Sequence, residues 1–139
     1  MIAVERHDAL TPDIAGLRRT VFMEEQGIAE ADEFDGTDGG CTHWLLRVDG
    51  HAVATLRTRV ADGVVKIGRI ATAAEARGRG HAAALIRDAM ADARDAGCAR
   101  AYLSAQVPVI GFYERLGFAA EGPTYDDADI PHRNMWADL

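Results

Sequence analysis

Two Asp-Gly pairs, Asp49-Gly50 and Asp62-Gly63, divide one stretch of this chain into three strand-like runs. Aspartate followed by glycine supplies the positive φ values that a two-residue type I′ turn requires, and that turn joins neighbouring antiparallel strands. The runs at 42–48, 51–60 and 64–72 are therefore predicted to form an antiparallel meander. Few local signals limit a fold so strongly, because a two-residue turn also fixes the register on both sides of it.

The remaining elements are read around that meander. The first residues, 1–5, alternate weakly and are expected to form a strand. Thr11 offers an N-cap with Pro12 at the first helical position, and Ile14, Leu17 and Val21 recur at helical spacing until Gly27 stops the helix. Residues 28–40 break that pattern and are expected to be an acidic loop, holding Glu30, Asp32, Glu33, Asp35 and Asp38. After the meander, Ala82, Leu85, Ile86, Ala89, Met90 and Ala93 form one apolar stripe, so a long helix runs to about residue 96, ended by Gly97. Residues 100–106 read as a buried strand. Pro108 opens a second helix, with Ile110, Phe112, Tyr113 and Leu116, stopped by Gly117. Residues 118–121 and 132–137 are expected to be the last two strands. The order is β-α-βββ-α-β-α-ββ, a mixed α/β arrangement in one domain spanning 1–139.

Composition removes several classes of function. The formal net charge of -7 argues against a nucleic-acid partner, whose phosphates demand a basic face. The positive charge is almost all arginine, Lys66 being the single lysine, which suits bidentate anion contacts. No apolar run approaches the roughly 20 residues of a membrane span. Glu5, Arg6, His7 and Asp8 leave no apolar segment for a signal peptide, so a cytoplasmic protein is expected. Cys41 and Cys98 have no metal spacing and form no C-x-x-C pair. They are expected to be reduced, partly buried thiols, and no metal site is predicted.

The segment Arg77-Gly78-Arg79-Gly80-His81-Ala82 lies between a strand and a helix. Glycines there let backbone N–H groups approach an anion, and a helix N-terminus adds unpaired donors and partial positive charge. The chemistry points to phosphate or pyrophosphate. A Walker loop is excluded, since His81-Ala82 follows Gly80 where Lys-Ser/Thr is needed. A dinucleotide fingerprint is matched in spacing only. Three strands precede the turn, and Tyr102, Leu103 and Ser104 stand where an acidic residue would read the ribose.

The third reading is the GNAT superfamily of N-acetyltransferases, which this chain resembles over nearly its whole length. Arg77-x-x-Gly80-x-Ala82 matches the superfamily's acetyl-CoA motif. Ala105-Gln106 and the run Gly111-Phe112-Tyr113-Glu114-Arg115-Leu116-Gly117-Phe118 match a second one. Finer features resemble the ElaA-like and YjcF-like branch of bacterial acetyltransferases. They are Val21 to Gly27, Glu33-x-Asp35-x-x-Asp38, Thr42-His43-Trp44, Ile67-Gly68-Arg69-Ile70 and Asp129-Ile130-Pro131-His132.

The resemblance implies a central mixed, mostly antiparallel sheet of six to seven strands with flanking helices. It also implies a V-shaped opening between the strand ending near Thr72 and the strand ending near Gln106. Acetyl-CoA would lie there, its pantetheine arm on the backbone of Ile70, Ala71 and Thr72 and its pyrophosphate on Arg77, Gly78, Arg79, Gly80, His81 and Ala82. An amine would attack the thioester directly, with Tyr113 as the acid that protonates the thiolate. A phenol near pKa ~10 and a thiol near ~8.5 are reasonably matched for that transfer. Many superfamily members carry a glutamate where this chain has Gly68, so the base stays open among Glu24, Glu25, His43 and His132. Glu25, Gln26, His43, Arg69, Gln106 and His132 are candidates for the acceptor pocket. Arg69 would either clamp an acceptor carboxylate or pair with an acidic neighbour, and His43 and Trp44 are expected to pack in the core. The acceptor is expected to be a small-molecule or peptide amine, and a homodimer is expected from the superfamily's habit. The alternative is a non-catalytic acetyl-CoA or acyl-CoA sensor, motivated by Gly68; a nucleotide oxidoreductase stands third.

Overall fold

A computed structural model describes all 139 residues. Seven strands form one sheet in the order β1-β2-β3-β4-β5-β7-β6. The strands are β1 (Ile2–His7), β2 (Thr42–Val48), β3 (His51–Ala61), β4 (Val64–Thr72), β5 (Arg100–Gln106), β6 (Ala119–Asp127) and β7 (Ile130–Asp138). The helices are α1 (Pro12–Arg18), α2 (Glu30–Glu33), α3 (His81–Asp95) and α4 (Ile110–Glu114). Every neighbouring pair of strands is antiparallel except β4 and β5, which are parallel and joined through α3.

The meander forms as the turn chemistry predicts. Asp49 and Gly50 have φ of 50° and 83°, Asp62 and Gly63 have 53° and 74°, and each pair is the whole loop between its strands. A third two-residue turn joins β6 to β7 through Ala128 (50°) and Asp129 (62°), a left-handed pair without glycine that the sequence did not announce. Because of it the last two strands run longer than the expected 118–121 and 132–137.

Four further expectations are corrected. The first strand extends to His7 rather than ending at residue 5. The first helix begins as expected at Thr11-Pro12, with the Thr11 hydroxyl accepting from the Ile14 N–H at 3.3 Å, but widens into a π-helix over Arg19–Glu25. The acidic stretch is partly helical, and Glu33 is 2% exposed. The helix at Pro108 starts as a 3₁₀ turn over Val107–Val109 before α4.

A single apolar core joins Leu17, Val21 and Phe22 of the first helix to the sheet and to Leu85, Ile86, Ala89 and Ala93 of α3. That stripe anchors α3 to β3 and β4, which fixes where the helix begins and hence where the Gly78–Ala82 turn stands. No helix is long and apolar enough to cross a membrane.

Candidate active site

The parallel pairing of β4 with β5 runs from Val64↔Arg100 only as far as Ile67↔Leu103. Beyond it β5 continues to pair with β7 up to Gln106↔His132, and β4 continues with β3 up to Thr72↔Ala54. The two strands part, and backbone groups of Gly68 to Thr72 that face β5 have no strand partner. A bulge marks the parting. Thr55 pairs with Ala71 and Arg57 with Gly68, so Arg69 and Ile70 together oppose Leu56. Arg69 takes a left-handed φ of 51° to make this bend, a conformation that a non-glycine residue adopts only where surrounding structure holds it.

A cavity of about 1140 Å³ occupies the opening. It is lined by Ile70, Ala71, Thr72, Arg77, Gly78, Gly80, His81 and Ala82, by Tyr113, and by Glu25, Gln26, Arg69, Gln106 and His132. Three of the candidates stand elsewhere, Glu24 among them. Arg79 is exposed and outside the cavity lining, and His43 is 0% exposed. His43 has its Nε2 at 3.4 Å from the Asp38 carbonyl and its Nδ1 without a partner, and burial holds its pKa below the ordinary histidine value. It is buried on the sheet face that carries Arg57, opposite the face on which Trp44 enters the apolar core.

At one end of the opening, Gly78 and Gly80 have φ of 77° and 80°, and Gly80 caps α3 without a side-chain hydrogen bond. The N–H groups from Gly78 to Ala83 make no hydrogen bond to backbone or side chain, so six adjacent donors are free at a helix N-terminus. A Cβ added at either glycine would meet nothing within 4 Å, so the space in front of the amides is open. Arg77 is less available. Its Nε donates to the Thr72 carbonyl at 3.1 Å and a terminal nitrogen binds Glu25 at 2.5 Å.

Tyr113 also lines the cavity and is 8% exposed, its ring edge-on to Phe112 and Phe118 at 5.1 and 6.3 Å. Burial alone pushes its phenol up to about 12. The hydroxyl makes no hydrogen bond within the protein. Gln106 donates to Gln26 at 2.8 Å, linking the end of β5 to the end of the first helix. His132 has Nδ1 at 2.6 Å from the Ile130 carbonyl, and its ring stacks on Tyr125 at 6.2 Å. A carbonyl only accepts, so Nδ1 carries the proton and Nε2 of the neutral ring keeps its lone pair.

Lys66 pairs with Tyr102 and Gln106 with His132, so by strand alternation Lys66, Gly68, Ser104, Gln106 and His132 share one face. On that face the cavity also reaches Arg57 and Arg59, which the sequence reading missed. Counting outward from Asp62-Gly63 would have found them, because the two-residue turn sets Arg59 opposite Lys66 and Arg57 opposite Gly68.

The acidic stretch is a structural clamp beside this face. Arg18, 1% exposed, binds Glu33 through Nε at 2.5 Å and Asp38 through a terminal nitrogen at 2.7 Å. Arg57 reaches the same Asp38 oxygen at 2.8 Å, and Arg69 binds Glu33 at 3.1 Å and Asp35 at 3.5 Å. Arg69 therefore pairs with acidic neighbours.

A strand pair that splays at a bulge, with free amides at a helix N-terminus on one side, is the arrangement the resemblance implied. Comparison with known proteins agrees, since residues 11–118 match the acetyltransferase (GNAT) family. The chain belongs to the GNAT acetyltransferase family. It is similar to an acyl-CoA N-acyltransferase from Pseudomonas aeruginosa, 33% identical with a TM-score of 0.82, the match covering 99% of this chain and 98% of that one. It is also similar to Escherichia coli ElaA, 27% identical with a TM-score of 0.84 and 99% of both chains covered. A GNAT family acetyltransferase from Elizabethkingia anophelis, crystallised with acetyl-CoA bound, shares the fold at 15% identity and a TM-score of 0.75, over 99% of this chain and 98% of that one. The GNAT chain described here is an acetyl-CoA-dependent acyltransferase with the ElaA-like architecture.

Proposed function

We propose that this chain acts as one domain that transfers acetyl from acetyl-CoA to an amine by direct attack, with Tyr113 as general acid. The observation that supports the reading is the parted β4–β5 edge, beside which one cavity is lined by Tyr113 and by five of the six residues whose amides are free. Gly78 to Ala83 would hold the pyrophosphate through their N–H groups, and the open edge of Ile70 to Thr72 would bond the pantetheine amides as an added strand. A backbone N–H near Ile70 or Ala71 stabilises the oxyanion that develops on the carbonyl.

In the transfer, the amine nitrogen forms the C–N bond as the C–S bond breaks, and the leaving thiolate takes the Tyr113 proton. A phenol raised to about 12 looks poorly matched to a thiol near ~8.5 in water. The same dry surroundings that destabilise phenolate destabilise thiolate, so burial raises both and keeps the two close. For the amine's own proton His132 is the best-placed recipient, since its Nε2 lone pair is free and its ring lines the cavity. Glu25 is committed to Arg77, Glu24 lies outside the cavity lining, and so does His43, which is buried.

The test is release of free thiol from acetyl-CoA across an amine panel, with binding measured in parallel by calorimetry. Saturable acetyl-CoA binding and acetylated product are expected. Tight binding with turnover on no amine would leave the sensor reading in its place.

A valine at Gly80 is expected to weaken acetyl-CoA binding about tenfold, because a Cβ there intrudes on the approach to the amides and a β-branched residue resists φ of 80°. Gly97, at φ of 94° just past the far end of α3 and outside the cavity, is the control. Gly97→Val carries a similar backbone cost and should leave affinity unchanged. Equal affinity in wild type and Gly80→Val would contradict the cradle.

A further inference from the structure

One wall of the cavity carries more positive charge than its carboxylates use. Arg57 and Arg59 of β3 stand opposite Gly68 and Lys66 of β4, so three cations share the sheet face that lines the cavity. Arg57 is 15% exposed and its only bond is from one terminal nitrogen to Asp38, whose same oxygen already takes Arg18. Its Nε and second terminal nitrogen have no partner in the protein and are not sealed from solvent, so both are available to a ligand in the cavity. A Cβ built on Gly68 would sit 3.9 Å from that Nε, so these donors border the space a side chain at 68 would fill. Arg59 bonds only the Thr37 and Gly39 carbonyls. Lys66 has no carboxylate within 4.0 Å and lies over the Tyr102 ring at 5.8 Å.

The carboxylates of the wall do not answer this charge. Glu25 is taken by Arg77, and Glu33 and Asp35 by Arg69, leaving Asp32 and Asp127 exposed. A chain of net charge -7 that gathers three cations on one cavity face, over a glycine, has built a local site for an anion.

We propose that the acceptor amine carries an anionic group, a carboxylate or a phosphate, which seats over Gly68 on Arg57, Arg59 and Lys66. This rests on the acetyltransferase reading of the same cavity. The bidentate fork of Arg57 fits either anion, and the ligand's charge completes the site from outside.

The experiment uses matched amines that differ only in charge: leucine against leucinamide, and phosphoethanolamine against ethanolamine, at low and high salt. The anionic member of at least one pair is expected to be favoured about tenfold or more in kcat/KM, mainly through KM, with the advantage shrinking as salt rises. Which pair shows it tells carboxylate from phosphate. Arg57→Gln and Lys66→Gln should bring the ratio towards one. Gly68→Glu, which supplies Arg57 with an internal carboxylate, should do the same even if Arg57→Gln fails to fold. Acetyl-CoA affinity, measured for each variant, reports on the cradle separately. Neutral amines used as well as charged ones, or a preference that survives all three variants, would overturn the proposal and leave the acetyltransferase reading intact. Turnover of no amine would overturn both.

Discussion

Replacing Tyr113 by phenylalanine is expected to lower kcat about a thousandfold while leaving acetyl-CoA affinity within about twofold. The substitution removes one oxygen and keeps the ring, so the edge contacts to Phe112 and Phe118 persist. Because the hydroxyl has no hydrogen-bond partner in the protein, its loss breaks nothing in the fold, and unchanged thermal stability is the built-in control. A phenol pushed up to about 12 stays fully protonated through the neutral range, so the acid is present in every molecule at working pH. Its contribution arises only as negative charge develops on sulfur, which is why turnover and not binding carries the loss. Steady-state kinetics and titration calorimetry on the same preparation separate the two. Equal losses in kcat and affinity would show that Tyr113 serves packing or binding, and a loss below about threefold would remove it from the chemistry altogether.

How much of this site could be read from residues alone depends on how local each cause is. The hairpins at Asp49-Gly50 and Asp62-Gly63 were legible because turn type is set by two residues whose φ values must be positive. The glycine turn at Gly78 and Gly80 was legible for the same reason, and the α3 stripe because its burial repeats every turn. The β6–β7 turn was not, since Ala128 has no preference for the left-handed φ that it adopts there, and Asp129 alone is a weak signal without a glycine. Nor does any residue type in Arg19–Glu25 mark the change to π-helix. Glu33 shows the sharpest limit. Among the five carboxylates of an expected loop nothing in the sequence sets it apart, and what it is buried against is Arg18, fifteen positions earlier on another element. Arg57 and Arg59 stand between these cases: no motif names them, yet the register of a turn already recognised places both beside Gly68.

Replacing Arg18 by methionine is expected to cost about 3 kcal/mol of folding stability near neutral pH, the usual order for removing one member of a buried ion pair. The loss exceeds that of a surface pair because Arg18 and Glu33 are 1% and 2% exposed and the guanidinium also bonds the Glu33 carbonyl at 3.1 Å. Arg69 remains on Glu33 and Arg57 on Asp38, which keeps the cost at the lower end of the range. The deficit should depend on pH in a defined direction. Burial already raises the Glu33 carboxyl above its ordinary value, against the opposing pull of Arg18 and Arg69, and losing Arg18 raises it further. A carboxyl with a higher pKa in the folded state binds protons more tightly when folded, so acid favours folding and the benefit is lost as pH rises through that value. Asp38 runs the other way: Arg18 and Arg57 hold it low against burial, so its contribution is lost only as pH falls below the ordinary carboxylate range. The variant's deficit should therefore be smaller at mildly acidic than at neutral pH, because Glu33 takes up its proton above the ordinary carboxylate range while Asp38 is still charged. Urea unfolding under both conditions measures it. A deficit that stays constant, or grows towards acid, would mean that Glu33 is not the group left exposed to the loss and that the clamp holds the acidic segment through Asp38 instead.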